Sequence, residues 1–174
     1  RFSYGLLESC RYQMMDVILG TCIGIGMNRE LKRSSLHFDT VIIDEAAKAN
    51  LAETLVPLSM GDRYVLVGDD KQLPPYSDSS IIEDFIKQPN TEIPELDKKT
   101  AIQAVTTSLF EKIHNVESCP NECVTMLNYQ YRMHPDIGNF ISEAFYDGKV
   151  FMGENTITQQ LPLPSPYAKQ ILFI

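Results

Sequence analysis

Apolar residues along this chain fall into short blocks, and each block runs into a polar loop. Phe2, Leu6, Cys10 and Met14 recur at helical spacing, which predicts an amphipathic helix over residues 2–16. Val17–Leu19, Val41–Ile43 and Tyr64–Val67 are apolar runs too short for helices and read as strands. Continuous apolar strands of this kind are buried on both faces in parallel sheets. Between the second and third, Asn50 with Glu53 three residues later has the capping-box pattern and opens a short helix that ends near Pro57 and Gly61. The fold class is therefore α/β, a parallel sheet whose strands all end at one edge. Ligands of open α/β sheets bind at that edge.

The remaining pattern is less regular. Residues 27–39 form a polar connection in which Arg29, Lys32 and Arg33 make a solvated face. Residues 76–100 read as a surface insertion, with one short helix around Ile81, Ile82, Phe85 and Ile86 that stops at Pro89. Ile102, Val105, Leu109 and Ile113 mark another amphipathic helix. Residues 115–122 have linker composition and divide the chain into 1–117 and 118–174. Cys123–Leu127 restart as a strand. Pro135 then suits the first position of a helix whose stripe is Ile137, Phe140, Ile141, Ala144 and Phe145, with Gly148 to close it. Leu161–Pro166 read as a proline-rich loop and Ile171–Ile174 as a strand.

Composition narrows the classes. The 174 residues are 44% hydrophobic, enough for a globular core, and no apolar stretch approaches the roughly 20 residues of a membrane span. The first residues form no signal peptide and lack an initiator Met, so the chain reads as a piece of a longer protein. Cys119 and Cys123 would supply half a zinc site, but Cys10 and Cys22 do not complete it. Sparse, irregular cysteines favour reduced thiols and a cytoplasmic protein. A net charge of −8 argues against a self-sufficient nucleic-acid module.

The chemistry sits at the strand ends. Val41–Ile43 deliver Asp44 and Glu45, a Walker-B-like pair in which one carboxylate can hold Mg²⁺ and the other can position or deprotonate a nucleophile. The same pair also suits a plain acidic turn. Tyr64–Val67 deliver Gly68-Asp69-Asp70-Lys71-Gln72-Leu73-Pro74-Pro75, where the Gln72 amide could sense a phosphate or simply be solvated. Gly20, Thr21 and Cys22 open a glycine-rich loop able to approach a polymer phosphate, or an ordinary strand-to-loop turn. No G-x-x-x-x-G-K-[ST] occurs in the chain, so none of these is a P-loop. Gln130, Tyr131 and Arg132 lie just before the start of the 136–146 helix, where a ring and a guanidinium could meet a nucleotide or merely pack.

In this order the segments resemble the superfamily I helicases, in the branch of the RNA-surveillance helicase and its DNA-processing relatives. Gly20-Thr21-Cys22 is similar to motif Ic, Asp44-Glu45-Ala46-Ala47 to motif II and Gly68–Pro75 to motif III. Ser108-Leu109-Phe110-Glu111 matches a helix before the second domain, and Gln130-Tyr131-Arg132-Met133-His134-Pro135 is similar to motif IV. The resemblance implies a RecA-like, P-loop NTPase fold. It makes residues 1–117 the back of the first RecA-like domain and 118–174 the start of the second, with Walker A upstream and motifs V and VI downstream. It further implies ATP and Mg²⁺ as cofactors and single-stranded DNA or RNA as partner, with no membrane. Asp44 would hold Mg²⁺ and Glu45 would activate water. Gln72 would read the γ-phosphate and couple it to nucleic acid. Tyr131 would stack on adenine and Arg132 would be an arginine finger. Thr21, with Cys22 beside it, would touch the nucleic-acid backbone. Two other classes remain: a catalytically silent scaffold derived from such an enzyme, and a Mg²⁺-dependent nuclease built on Asp44 and Glu45, with Asp69 and Asp70 as further carboxylates.

Overall fold

The strand expected at Val41–Ile43 starts three residues earlier, giving β1 (Phe38–Ile43). Its partner is β2 (Gly61–Leu66), and the two pair in parallel with Phe38 opposite Gly61 and Ile43 opposite Leu66. The helix between them, α3 (Leu51–Leu58), makes the crossover that parallel strands require. It begins where the capping box places it. The Asn50 side chain accepts from the Glu53 N–H at 2.9 Å, and Glu53 Oε2 accepts from the Asn50 N–H at 3.3 Å. At the other end of the pair Gly61 is obligatory, because a Cβ there would lie 2.6 Å from Val41 Cγ2.

These elements come from a computed structural model that describes residues 10–76, 106–114 and 120–158, together with the single helical positions Leu7, Thr100 and Ile102. The chain divides into two compact units, Arg1–Ser118 and Cys119–Ile174.

In the first unit the structure corrects several expectations. Residues 10–13 are helical, as expected, but Val17–Leu19 form no strand and pair with nothing among the described residues. Val17 is 71% exposed and Leu19 90%. An apolar run becomes a strand only where a ladder partner exists, and the edge of β1 is not paired with this one. The glycine-rich stretch after it is a helix, α1 (Cys22–Met27), because the Thr21 hydroxyl caps it by accepting from Gly24 N–H at 3.0 Å. A second short helix, α2 (Arg29–Arg33), occupies the expected polar connection, capped by Asn28. Helix α1 packs on α3 with Gly26 against Val56, where a Cβ would overlap the valine. Burial of the sheet on both faces is also corrected. Ile43 is buried, yet Ile42 is 68% exposed, since the described crossover helix covers one face only. The predicted helix through Ile102, Val105, Leu109 and Ile113 is interrupted by a bend at Thr107, and α4 (Leu109–His114) restarts after Ser108. The Ser108 hydroxyl caps α4 by accepting from Glu111 N–H at 3.0 Å. The short helix expected near Ile81–Ile86 lies outside the described residues.

The second unit is built on β3 (Tyr129–Gln130), parallel to β4 (Phe151–Met152), with α5 (Pro135–Phe145) between them. Pro135 stands at the start of α5 as expected, and His134 caps it by accepting from Asp136 N–H at 3.2 Å. Gly148, at φ +70°, closes the helix by donating to the Ser142 carbonyl at 3.0 Å. Cys123–Leu127 are not a strand. Their first residue ends a 3-10 turn (Asn121–Cys123), and the rest pair with no strand among the described residues. The apolar stripe on α5 is only partly used, because the buried positions are Gly138 and Ser142 while Phe140 and Phe145 stay over half exposed. The Ser142 hydroxyl both donates to Val150 O (2.8 Å) and accepts from Val150 N (3.1 Å), which fastens the helix to the chain entering β4. Leu161–Pro166 and Ile171–Ile174 lie outside the described residues.

Asn50→Ala removes one half of the capping box and should lower stability by about 1 kcal/mol, with Asn50→Gly costing only a few tenths. Denaturant midpoints at unchanged m-value check both; equal losses for the two variants would show that the side chain does not cap α3.

Candidate active site

The chain leaving β1 does not run free. Val67 N–H donates to Ile43 O at 2.9 Å, and Ala46 N–H returns to Val67 O at 2.8 Å. The Asp44–Ala47 turn is thereby bonded to the residue that opens the loop after β2. The turn needs a left-handed residue, and that residue is Glu45, at φ 54°. A non-glycine residue there is strained by about 1–3 kcal/mol, which persists because its surroundings fix it. Those surroundings are visible: Ala46 and Ala47 are buried to 0% and 6% exposure, while Asp44 and Glu45 stay exposed. The alanines are anchors and the carboxylates are presented.

Gly68 makes the close approach possible. A Cβ at this position would lie 2.9 Å from Ala47 N and 3.3 Å from the Phe110 ring on α4. Ser108, just before α4, pairs with Asn50 in an antiparallel bridge, so the turn is flanked by β2, by α4 and by the start of α3.

At the rim, one Asp44 oxygen accepts from the Glu45 N–H at 2.9 Å. Glu45 pairs with Lys48 at 2.8 Å, and Asp70 with Lys71 at 3.3 Å. Glu45, Lys48 and Lys71 are exposed and Asp70 is half-buried, and solvent-accessible pairs of this kind add little stability but do orient their carboxylates. Asp69 organises the following loop. Its carboxylate accepts from Lys71 N–H at 3.0 Å and from the Gln72 side-chain amide at 2.9 Å, and its carbonyl accepts from Gln72 N–H at 3.3 Å. Asp44, Glu45 and Gln72 thus share the C-terminal edge of one parallel pair.

The other candidates lie elsewhere. Thr21 is the exposed cap of α1, and Cys22 is its first residue, half-buried. Burial pushes the Cys22 thiol up, its backbone hydrogen bond opposes this, and the negative charge of Glu53 adds to the rise. Cys22 is therefore a neutral thiol at pH 7 and not a nucleophile. Tyr131 and Arg132 belong to the second unit, both exposed, with the Tyr131 ring laid over Gly153, where a Cβ would overlap it. Sequence reasoning placed Gly68 and Gln130 in their motif segments but gave neither a role, and it missed the Asn50–Ser108 bridge, for which the sequence carries no signal. The Gln130 side chain is hydrogen-bonded throughout.

A carboxylate that is exposed, has hard oxygen donors and is held in place by its own turn suits Mg²⁺, which takes one or two carboxylates plus substrate phosphates. Among the described residues no three His, Cys, Asp or Glu side chains converge on one point, and such a mode needs no such cluster. Cys119 lies outside the described residues.

Comparison with known proteins decides the family. Two models, each described as an AAA domain, match residues 10–80 and 105–174. Helicase sen1 of Schizosaccharomyces pombe is 39% identical over 149 residues, which is 84% of this chain and 8% of that protein. ATP-dependent helicase upf1 of the same yeast is 35% identical over 141 residues, covering 80% of this chain and 12% of the relative. Its DNA replication ATP-dependent helicase/nuclease dna2 is 34% identical over 162 residues, covering 92% and 10%. The chain belongs to the upf1-like branch of the superfamily I helicases.

Membership carries the RecA-like, P-loop NTPase fold class, and the parallel strand pairs of both units agree with it. The chain spans about a tenth of the length of the helicases it matches. Among the described residues no helix is long and apolar enough to cross a membrane.

In this helicase chain Gly68→Ala should separate the two site loops. The added methyl meets backbone at Ala47 N, which cannot rotate away, so a loss of about 1–3 kcal/mol is expected. Thermal melting checks the size, and faster exchange of the Ala46 amide checks the place. Unchanged protection of that amide would show that the loops do not depend on the glycine.

Proposed function

We infer that these residues form part of an ATP-dependent helicase, in which hydrolysis of Mg·ATP drives movement on, or unwinding of, DNA or RNA. One observation carries this reading: the hydrogen bonds joining Ile43, Val67 and Ala46 hold Asp44, Glu45 and the Gln72 loop at one sheet edge. Residues 1–117 would be the back of the first RecA-like domain, with 76–100 inserted, and 118–174 the start of the second. One relative is named for DNA replication and another, regulator of nonsense transcripts 1 of Dictyostelium discoideum, for nonsense transcripts, so either nucleic acid suits the reading. The scaffold reading gains nothing from a site that keeps Asp44, Glu45, Gln72 and Arg132. The nuclease reading would need further carboxylates converging on Asp44.

In this reading Asp44 would hold Mg²⁺ through the oxygen not engaged by Glu45 N–H. Bound there, the cation would neutralise charge on the transferring phosphate. Glu45 would accept a proton from the attacking water, its carboxylate exchanging Lys48 for that water. Gln72 would trade Asp69 for the γ-phosphate, and the loop carrying it would pass the change toward the nucleic-acid track, where Thr21 and Cys22 would lie against the backbone. Arg132 would neutralise charge as the γ-phosphate leaves, and Tyr131 would stack on adenine.

In the full-length protein Arg132→Ala is expected to lower kcat by about 10³ or more at little cost in ATP affinity, because a finger acts mainly in the transition state. Tyr131→Ala is expected to do the reverse, losing roughly 1–3 kcal/mol of ground-state stacking. Melting temperature, kcat and nucleotide affinity on both variants separate these roles from plain packing. A folded Arg132→Ala with normal kcat would defeat the assignment. The 174-residue chain by itself contains no P-loop sequence and is expected to show no significant ATPase activity with or without single strands. Turnover that survives purification and disappears in Glu45→Gln would contradict this.

A further inference from the structure

Gln130 uses its whole side-chain amide inside its own unit. Its Oε1 accepts from the backbone N–H of Arg132 at 2.9 Å and of Met133 at 2.7 Å. Its Nε2 donates to the Met133 carbonyl at 2.9 Å and lies 2.8 Å from Met152 Sδ on β4. Two N–H donors on one atom and a carbonyl on the other leave a single orientation of the amide. The two N–H groups on Oε1 belong to the peptide planes on either side of the Arg132 Cα. One side chain therefore fixes both backbone torsions of Arg132.

The clamp is itself anchored. Gln130 O accepts from Gly153 N–H at 2.9 Å, which ties β3 to the end of β4. Gly138 of α5, which is buried, gives the clamp its room. A Cβ there would overlap Met152 Sδ and come within 3.0 Å of Gln130 Nε2. The Tyr131 ring lies over Gly153, just past the end of β4. The three-residue loop 131–133 is thus held by a strand, a helix and a sulfur contact, although Arg132 itself is exposed.

We propose that Gln130 is a positioning residue for Arg132: it pins both flanking peptides so that the guanidinium is presented from an immobile root. The catalytic consequence rests on the reading of Arg132 as the finger. The pinning does not. Catalytic groups displaced by about 1 Å can lose about a hundredfold in rate, so a fixed root matters even though Gln130 touches no substrate.

The test has two arms. In the 174-residue chain without nucleotide, Gln130→Ala should speed amide exchange at Arg132 and Met133 by about tenfold or more. The amides of Gly138 and Tyr146, bonded within and at the end of α5, should keep their protection. Gln130→Glu retains an acceptor oxygen and should keep much of the protection at both loop amides. Gln130→Met, which preserves packing against Gly138 and Met152, carries the test if Gln130→Ala loosens α5 as well. Unchanged exchange at Arg132 and Met133 in Gln130→Met overturns the pinning. In the full-length protein, Gln130→Met should lower kcat by about tenfold or more while KM for ATP changes less, and should add nothing in an Arg132→Ala background. Equal losses in both backgrounds overturn the positioning role. A normal kcat in Arg132→Ala overturns the finger reading and the catalytic consequence with it, and the exchange arm still reads the pinning separately.

Discussion

Everything at the candidate site depends on the pairing of β1 and β2 continuing past the ends of the strands. Ile43 O, Val67 N–H, Val67 O and Ala46 N–H form one uninterrupted sequence of bonds, so the ladder extends into the two loops that carry the candidate residues. The register places Ile43 opposite Leu66, and a slip of one residue would turn Asp44 from the edge and expose Ile43 instead. Burial enforces the register from below. Ile43, Ala46 and Ala47 are among the most buried apolar residues of the unit, and they bracket the two carboxylates left in solvent. A turn with small buried anchors can hold charged side chains outward without burying charge.

The same construction explains the strain at Glu45. A glycine would adopt φ 54° at less cost, but it would supply no carboxylate. The conformation is instead imposed by Ala46 N–H, which must reach Val67 O, and by Ala47, against which Gly68 closes. The glycine needed for close approach is thus found on the opposite loop, not at the strained residue. Lys48 and Lys71 stand beside Glu45 and Asp70, which moderates the repulsion among four carboxylates at one rim, those of Asp44, Glu45, Asp69 and Asp70.

Local signals were legible in proportion to how local their causes are. The capping box at Asn50, the proline at the start of α5 and the closing Gly148 act over a few residues, and all stand where the sequence places them. The strands at Val41–Ile43 and Tyr64–Val67 were legible from their short apolar runs, although both begin earlier than those runs. The failures have remote causes. Val17–Leu19 and Cys123–Leu127 have strand composition but no ladder partner among the described residues, and a partner is a fact about another part of the chain. Thr21 and Ser108 act as caps, and a hydroxyl before an apolar run is equally compatible with a loop until its acceptor role is seen. Within the candidate site, residue types were readable and their supports were not. Gly68 against Ala47 and Gln130 around Arg132 are contacts between segments, and no periodicity reports them.

The two units handle their site residues differently, and the difference follows from where precision can come from. Asp44, Glu45 and Gln72 sit on one sheet edge, so the ladder that folds the unit also aligns them. Arg132 follows β3 on a loop outside the described ladder of its own unit. In the proposed reading Arg132 acts as the finger, and its guanidinium is only as precise as the backbone that carries it. A long side chain on a free loop would have to be ordered as it acts, at the cost of backbone as well as rotamer entropy. With both peptides flanking Arg132 already bonded to one Gln130 oxygen, the backbone share of that cost has been met in folding. What remains to be ordered in that reading is the side chain alone, which explains why an exposed arginine should rest on so fully bonded a root.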